Sequence, residues 1–386
     1  MHGSAPLPAN RLRAHAVVVA GVFRATTMPK EFTRMLANDP GDQVSQKVIN
    51  DLWEAQVKDL VFGGYSPQQN PVYVSLGGQA GAGKTGASRA IKGWHPQGEH
   101  LVPVETDFFR QFHPKYKEYA NDPRTLVEGT QKFARDMVLL CHRHARGLEQ
   151  DALLVTPGTP KYSLLVENTM HSPGGLTAAA KVFAEAGYRV EAIAMAVPEN
   201  LSLLGTAHRC FLPKQDKPGR WSPAQNHDVG YQNMPQTVEA GENCEHISRV
   251  TVVNRDGGTK LYDRELHTDD GTHGHRSGAK ETLLQERQRP LTVDEEEQLL
   301  SDYHDVSRAY ERMDATTRAN LAEGLEPILT RLGQAATAIA ARARTQPPAM
   351  PQLAHTATHT RQPSDVRGLP ASATLVKPPA SQGRAR

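Results

Sequence analysis

A glycine-rich segment, GQAGAGKT (78–85), carries the clearest chemistry in this chain. It fits G-x-x-x-x-G-K-[ST], the pattern of a phosphate-binding loop (P-loop) whose backbone N–H groups wrap a phosphate. In this pattern Lys84 is expected to reach the β- and γ-phosphates of a nucleotide, and the Thr85 hydroxyl is expected to hold Mg²⁺. The residues predicted to bind the nucleotide are Gly78, Gln79, Ala80, Gly81, Ala82, Gly83, Lys84, Thr85 and Gly86.

The P-loop lies between the two elements that position such a motif. PVYVSL (71–76) is rich in Val and Tyr, as strands are, and GKTGASRAIKGW (83–94) is typical of a helix. The N-terminal end of that helix would add its positive dipole to the phosphate site. A chance match in a glycine-rich turn is the alternative, and the strand–loop–helix order argues against it.

Short strands recur along the chain and alternate with helices. Beyond the first strand, the segments with the composition of strands are 100–105, 163–169, 188–197 and 249–255. This alternation predicts an α/β fold of the P-loop NTPase type, a parallel sheet flanked by helices. Ligands of such sheets bind at the carboxyl ends of the strands, where the P-loop, Asp107 and Glu167 are all expected to lie.

Three charged residues are candidates for phosphoryl transfer. Asp107 follows the second predicted strand, where a carboxylate could take a proton from an attacking hydroxyl, hold Mg²⁺ through water, or simply cap the next helix. Arg209 and Arg220 follow the fourth predicted strand. They could neutralise charge on a moving phosphoryl group, with a solvated surface position as the alternative. The polar segment KQDKPGRWSP (214–223) is typical of a mobile lid.

A series of motifs follows the P-loop in a fixed order. The series is LGGQAGAGKT, TDFFRQFHPKY, LLVENT, AMAVPENLSLLGTAHR, GRWSP and VNRDGGTKLY. In order and spacing it resembles the zeta toxin family, kinases of bacterial toxin–antitoxin systems, over roughly residues 43–265. The resemblance implies transfer of the ATP γ-phosphate, with Mg²⁺, to a sugar hydroxyl of UDP-N-acetylglucosamine, which poisons cell-wall precursor synthesis. It also implies a small helical antitoxin as partner.

The resemblance assigns catalytic roles to individual residues. Asp107 matches the catalytic base of the family, which favours that role over the helix cap. Lys84 and Thr85 match the P-loop lysine and the Mg²⁺-binding hydroxyl. Arg209 and Arg220 match two arginines that surround the phosphates.

On the acceptor side, the resemblance comes with departures. Glu167 and Thr169 match a pair that contacts the sugar substrate. Glu105 stands where an aspartate is expected two residues before the base, and Asn168 stands where a glycine is expected between the pair. These departures leave ATP use intact and put the identity of the sugar nucleotide in question.

One substrate-contacting acid of the family, carried on the helix before the third strand, has no secure counterpart. Glu128 and Asp136 are two candidates, and the interposed segment DALLVTPGTPKYS (151–163) blurs the alignment. His113 and Pro114 match the HP of the family and are interpreted as a structural turn more than as catalytic residues.

The 386 residues divide into four predicted regions. They are a flexible leader (1–28), a P-loop kinase domain (29–275), a helical extension (276–345) and a disordered Pro-rich tail (346–386). Within the extension, two helices separate from the sheet are expected, at 294–313 and 315–344.

The composition sets limits on partners and compartment. A net charge of +2 gives no reason to expect nucleic acid, and no apolar run approaches the ~20 residues of a membrane helix. Three widely spaced cysteines fit a reducing compartment, so a cytoplasmic location is expected. HAVVVAGV (15–22) faintly resembles a signal peptide, which keeps secretion as an effector open.

Two other functions compete with the sugar-nucleotide kinase. One is a kinase that acts on another nucleotide, such as a dinucleotide. The other is a P-loop interaction or effector protein that binds a nucleotide without catalysis. The presence of both Lys84 and Asp107 favours an enzyme, because a binding protein has no need of a base.

Overall fold

The structure, a computed structural model, describes residues 44–148, 159–213, 218–267 and 278–345. The predicted leader (1–28) and tail (346–386) lie outside these ranges. The predicted boundary between residues 275 and 276 also lies outside them, as does most of the segment 151–163.

One sheet of six strands forms the centre of the described chain. In chain order the strands are β1 (Val72–Gly77), β2 (Val102–Val104), β3 (Leu164–Asn168), β4 (Arg189–Met195), β5 (Arg249–Val253) and β6 (Lys260–Glu265). Their order across the sheet is β2-β3-β1-β4-β5-β6, and neighbours are parallel except for the antiparallel pair β5 and β6. Four of the five parallel strands lie within the segments predicted from the sequence, and β1 extends one residue beyond its segment, to Gly77.

The sixth strand, β6, was not predicted, because its residues are mostly polar and lie at an edge of the sheet. Cross-strand ion pairs, and not an apolar face, attach β6 to the sheet. Arg249 donates to both carboxylate oxygens of Asp263 at 2.7 and 2.6 Å, and Arg189 donates to Glu265 at 2.7 Å. Such a strand carries no alternation of apolar and polar residues that a pattern could detect.

Helices connect the strands and continue beyond them. In chain order they are α1 (Gln46–Leu52), a π-helical turn (Trp53–Val57), α2 (Lys58–Phe62), α3 (Lys84–Trp94), α4 (Thr106–Arg110), α5 (Tyr116–Tyr119), α6 (Pro123–Ala145), α7 (Pro173–Glu185), α8 (Glu199–Phe211), α9 (Ala224–Glu242), α10 (Ala279–Gln288), α11 (Val293–Glu311) and α12 (Ala315–Thr345). Within the described residues, none of these helices is both long and apolar enough to cross a membrane.

The two faces of the sheet are covered by separate apolar cores. Successive residues of a strand point to opposite faces. In β1, Tyr73 packs into a cluster that includes Phe133 and Phe183, whereas Val74 and Leu76 belong to a second cluster. Every residue of β1 is buried, since β3 and β4 flank this strand and helices cover both faces. This arrangement confirms the predicted fold class, a P-loop NTPase-type α/β sheet flanked by helices.

The C-terminal helices differ from the prediction in one respect. Two of them, α11 and α12, match the expected pair and pack against α8, where Leu203 and Leu204 contact an apolar cluster with Leu325 and Ile328. A third helix, α10, was not predicted, and it packs against β5 and β6 of the sheet. Its Leu283 is fully buried in the same core as the strands.

Candidate active site

The P-loop joins the carboxyl end of β1 to the first residue of α3. Gly81 and Gly83 take φ values of +73° and +95°, which favour glycine. Gly81 also has no room for a side chain, because a β-carbon there would lie 1.8 Å from the Ser202 carbonyl oxygen. On α8, a β-carbon at Gly205 would lie 2.4 Å from the Gly81 carbonyl oxygen. The α8 backbone therefore packs directly on the P-loop, which is a physical reason for the glycine in SLLGT.

The side chain of Lys84 folds back onto the first residues of the P-loop. Its Nζ donates to the carbonyl oxygens of Gly78 at 2.5 Å and Gln79 at 3.1 Å. Burial lowers the pKa of Lys84 to about 7, while the nearby Glu167 acts in the opposite direction. Burial thus favours the neutral form of Lys84, whereas a bound phosphate would favour the charged form.

Glu167, in β3 close to its carboxyl end, is the acidic neighbour of Lys84. It is 8% exposed, and burial together with the charge of Glu105 raises its pKa to about 8. Lys84 and Arg209 lower that pKa, but they do not offset the effect of burial. The structure thus brings a residue expected to bind the acceptor and the P-loop lysine into one electrostatic cluster.

Asp107, the candidate base, is held by two arginines. Its Oδ1 accepts from Arg110 Nε at 2.9 Å, and its Oδ2 forms an ion pair with Arg220. Arg110 is itself 5% exposed and donates to Thr130 Oγ1 at 2.8 Å and Gln131 Oε1 at 2.5 Å, so α6 fixes it in place. Sequence reasoning quoted Arg110 within DFFRQFHP but gave it no role, although it determines the orientation of the carboxylate.

The alternative of Asp107 as a helix cap is not what the structure shows. The N-cap position of α4 is Glu105, which makes no capping hydrogen bond with its side chain, and Asp107 lies two residues further along. The charge of Glu105 acts instead on its neighbours, since it favours the charged forms of Lys84 and Arg209. Glu105, one of the departures from the family pattern, therefore lies electrostatically at the centre of this cluster.

Arg209 and Arg220 are joined through the backbone, because the Arg220 N–H donates to the Arg209 carbonyl at 3.1 Å. Burial lowers the pKa of both guanidinium groups, that of Arg220 to about 10, so both are charged at neutral pH. The Nε atom of each is buried and has no hydrogen-bond partner among the described residues. Buried, charged donors without a hydrogen-bond partner fit an anionic ligand such as a phosphate group.

Asn168, the second departure, has a structural role. Its Nδ2 donates to Ser75 Oγ at 2.7 Å, and its Oδ1 accepts from the Met170 N–H at 2.8 Å. Met170 has a φ of +49°, the one positive value among the described residues other than glycine. Asn168 thus links β3 to β1 and supports a left-handed residue just after the strand.

Thr169 lies between this strand end and α7, and its hydroxyl is bonded to a histidine. The distance from Thr169 Oγ1 to His171 Nδ1 is 2.5 Å. Burial lowers the pKa of His171, and the charge of Arg135 acts in the same direction, so the imidazole is neutral at neutral pH. Sequence reasoning gave His171 no role, and the pairing places it beside the residues expected to contact the acceptor.

Glu128 and Asp136, the two candidates for the substrate-contacting acid, lie on α6, and His113 precedes this helix in the chain. Glu128 pairs with Arg124 at 3.1 Å and Asp136 pairs with Lys132 at 2.6 Å, each along the helix surface. Neither contact connects these acids to the cluster around Asp107. His113 is 3% exposed and its Nδ1 accepts from the Lys115 N–H at 3.1 Å, a contact that fits the structural turn expected for HP.

The side chain of Gln79 points into the protein and begins a buried polar chain. Its Nε2 donates to the Val197 carbonyl at 3.3 Å and to Ser202 Oγ at 3.1 Å. Ser202 Oγ lies 2.8 Å from His227 Nε2, and His227 Nδ1 lies 3.0 Å from Asp228 Oδ1. Although Ser202, His227 and Asp228 lie at the spacing of a hydrolytic triad, Ser202 is 0% exposed beneath the P-loop. Its part here is to support the loop.

Thr85 is the P-loop residue that fits Mg²⁺. It is exposed in the first turn of α3, and Mg²⁺ is commonly held by one or two protein oxygens together with substrate phosphates. Within the described ranges, no group of three or more His, Cys, Asp and Glu side chains could hold a metal ion.

Comparison with known families gives one match that covers more than half of the chain. The family model for zeta toxin matches residues 58–267. Helices α10, α11 and α12 lie beyond the matched residues, whereas the P-loop and every candidate site residue lie within them.

Individual relatives give the same result. The chain is 26% identical over 251 residues to toxin zeta of Enterococcus hirae, covering 64% of this chain and 80% of that protein. It is 29% identical over 221 residues to toxin PezT of Streptococcus pneumoniae, covering 55% of this chain and 79% of the relative. A chain from the structure of the PezAT toxin–antitoxin system of Streptococcus pneumoniae has a TM-score of 0.55 and 23% identity, with 69% and 98% coverage, and shares the fold.

Proposed function

The chain belongs to the zeta toxin family of kinase-like toxins, and we propose that it transfers the γ-phosphate of ATP to a sugar hydroxyl of UDP-N-acetylglucosamine or a related nucleotide-sugar. The observation that carries this proposal is the placement of Asp107 between Arg110 and Arg220. Arg220 also acts electrostatically on Lys84, so one arginine connects the candidate base with the P-loop.

Binding of the nucleotide would rest on the P-loop and its surroundings. The backbone N–H groups of residues 78–86 and the N-terminal end of α3 would hold the phosphates. Lys84, with its pKa lowered to about 7, would gain its full charge on contact with phosphate oxygens. Mg²⁺, held in part by Thr85, would supply further neutralisation of charge on those oxygens.

Asp107 would act as the general base. Its carboxylate takes the proton of the acceptor hydroxyl as that oxygen forms a bond to the γ-phosphorus. The bond from the γ-phosphorus to the bridging oxygen breaks, and ADP leaves with the electron pair. Arg110 keeps the carboxylate oriented, while Arg209 and Arg220 offset charge on the phosphoryl oxygens.

The acceptor would bind on the side of β3. Glu167 is 8% exposed and its raised pKa favours the protonated form, which can donate a hydrogen bond to a sugar oxygen. Thr169 and His171 offer a second polar contact. A small helical antitoxin is proposed as the partner that restrains this activity in the host.

Incubation with Mg²⁺–ATP and a panel of nucleotide-sugars and dinucleotides tests the proposal. Mass spectrometry would follow the gain of one phosphoryl group, and Lys84→Met, which keeps length and loses charge, serves as the control variant. Phosphorylated UDP-N-acetylglucosamine with the wild-type protein and none with the variant is the expected result. If only a dinucleotide is phosphorylated, the acceptor belongs to another chemical class. Nucleotide binding without any phosphorylated product would overturn the proposal that the chain is a kinase.

A further inference from the structure

Gln79 is held by a side chain from outside the residues that match the family. Arg287 on α10 donates from Nη2 to Gln79 Oε1 at 2.9 Å and from Nη1 to the Tyr231 carbonyl at 2.6 Å. Its guanidinium carbon also lies 4.3 Å from the centroid of the Tyr231 ring. Arg287 is 5% exposed, and the family match ends at residue 267. A helix beyond the shared domain therefore reaches the nucleotide-binding loop.

A second connection reaches Gln79 from α12. Arg331 donates to the two carboxylate oxygens of Asp228 at 2.9 and 3.0 Å. Burial lowers the pKa of His227, so this histidine is neutral at neutral pH. Its Nδ1–H then donates to Asp228, its Nε2 lies 2.8 Å from Ser202 Oγ, and Ser202 Oγ accepts from the amide of Gln79. The buried amide of Gln79 is thus bonded on both sides.

These bonds matter because Gln79 also shapes the P-loop through its backbone. Its carbonyl oxygen accepts from Lys84 Nζ at 3.1 Å and from the Ala82 N–H at 3.2 Å. Gln79 is 0% exposed, and every polar atom of its side chain has a partner. Removal of Arg287 would leave Oε1 buried without a donor, a condition that favours rearrangement of the residue.

We propose that Arg287 is a positioning residue for the P-loop, so that helix α10 sets the conformation in which the loop binds a nucleotide. This inference rests on the proposed function for the identity of the ligand. Burial lowers the pKa of Arg287 to about 10, and the group stays charged at neutral pH. Its planar fork bonds two acceptors and stacks on Tyr231, which a lysine cannot reproduce.

Hydrogen exchange in the nucleotide-free protein tests the positioning directly. Arg287→Met is expected to increase exchange at the backbone amides of residues 78–86 about tenfold, on the scale of one lost hydrogen bond to a charged group. Arg289→Met is the matched control. Arg289 is two residues away and pairs with Glu286 at 2.8 Å and Glu295 at 2.6 Å. The control is expected to lower the melting temperature without a specific effect on residues 78–86.

A double substitution separates positioning from general stability. In a Gln79→Met background, Arg287→Met is expected to change exchange at residues 78–86 by less than twofold, because the contact it removes is already gone. Equal effects of Arg287→Met and Arg289→Met on these amides would overturn the proposal. So would a full Arg287→Met effect in the Gln79→Met background.

Measurements of nucleotide binding and of steady-state kinetics test whether Arg287 also affects the ligand of the P-loop. For a non-hydrolysable ATP analogue, Arg287→Met is expected to raise Kd about tenfold, and Arg287→Lys is expected to recover little of that loss. With ATP as substrate, KM should rise while kcat at saturation changes less than threefold. An unchanged Kd would overturn the inference. The exchange results need no nucleotide, so they distinguish a failure of this inference from a failure of the proposed kinase.

Discussion

The nucleotide side and the acceptor side of the site are built in different ways. On the nucleotide side, the backbones of α8 and the P-loop are in contact at Gly205 and Gly81, and the loop is bonded from beneath by buried side chains. On the acceptor side, Glu167 and Thr169 are individual side chains at and just beyond the end of one strand, and the Thr169 hydroxyl lies 2.5 Å from His171 Nδ1. Backbone packing restricts the sequence strictly, whereas side chains at a strand end can be exchanged without rebuilding the fold. The sequence of the nucleotide side is therefore constrained more tightly than that of the acceptor side.

The largest effect is expected where the two sides meet. Asp107→Asn keeps the size of the side chain but cannot accept the hydroxyl proton, so kcat should fall by a factor of about 10²–10⁴. ATP affinity should stay within twofold of the wild-type value, because Asp107 contacts arginines and not the P-loop. Single-turnover kinetics and calorimetry measure the two quantities separately. A rate loss accompanied by an equal loss of ATP affinity would contradict the assigned role.

The next test challenges the backbone packing of the nucleotide side. Gly205→Ala places a β-carbon 2.4 Å from the Gly81 carbonyl oxygen, so the P-loop or α8 must shift. The free energy of unfolding should fall by about 1–3 kcal/mol, and nucleotide affinity should fall with it. Gly93→Ala on α3 is the matched control, because a β-carbon there meets nothing within 4 Å. Chemical denaturation and nucleotide titration of both variants check the expectation, and normal nucleotide binding by Gly205→Ala would refute it.

A substitution on the acceptor side should have a smaller and more selective effect. Thr169→Val removes the hydroxyl that contacts His171, and KM for the acceptor should rise about tenfold, the scale of one hydrogen bond. KM for ATP should remain unchanged. Thr177→Val is the control, since the hydroxyl of Thr177 bonds to carbonyl oxygens at the start of α7, at 3.2 and 3.4 Å. Initial-rate kinetics with each substrate varied in turn would show whether the two sides respond independently; parallel changes in both KM values would argue that they do not.

The last test concerns the dependence of stability on pH. The pKa of Glu167 is raised from 4.5 to about 8, so the folded state binds its proton more tightly than the unfolded state does. The contribution of this group to the free energy of unfolding therefore falls as pH rises from about 4.5 to about 8. Glu167→Gln should flatten this part of the profile, as followed by denaturant unfolding at several pH values. The same slope in both proteins would show that Glu167 does not titrate in this window.

Local sequence patterns were enough to predict the P-loop and the parallel strands around the candidate site. The strand, loop and helix around Lys84 are adjacent in sequence, and the five parallel strands have apolar compositions that report burial. The family resemblance was confirmed by the match over residues 58–267. Motif order also identified the segments that carry Asp107, Glu167 and Arg209, whose individual roles stay predictions.

The features that were missed depend on contacts between distant parts of the chain. Arg287 lies 208 residues from Gln79, and α10 carries too few apolar residues to give a helical pattern. His227 was given no role, because a histidine in sequence does not reveal the serine and aspartate that flank it in space. Such contacts become visible only when the sheet and its helices are assembled.

A crystal structure with ADP, Mg²⁺, a fluoride mimic of the transferred phosphoryl group and UDP-N-acetylglucosamine would test the role of Asp107 most directly. A sugar hydroxyl is expected to lie within hydrogen-bond distance of Asp107 and in line with the mimic. Glu167 and Thr169 should contact the same sugar. A sugar hydroxyl bound away from Asp107, with the P-loop occupied, would contradict the assignment of Asp107 as the base.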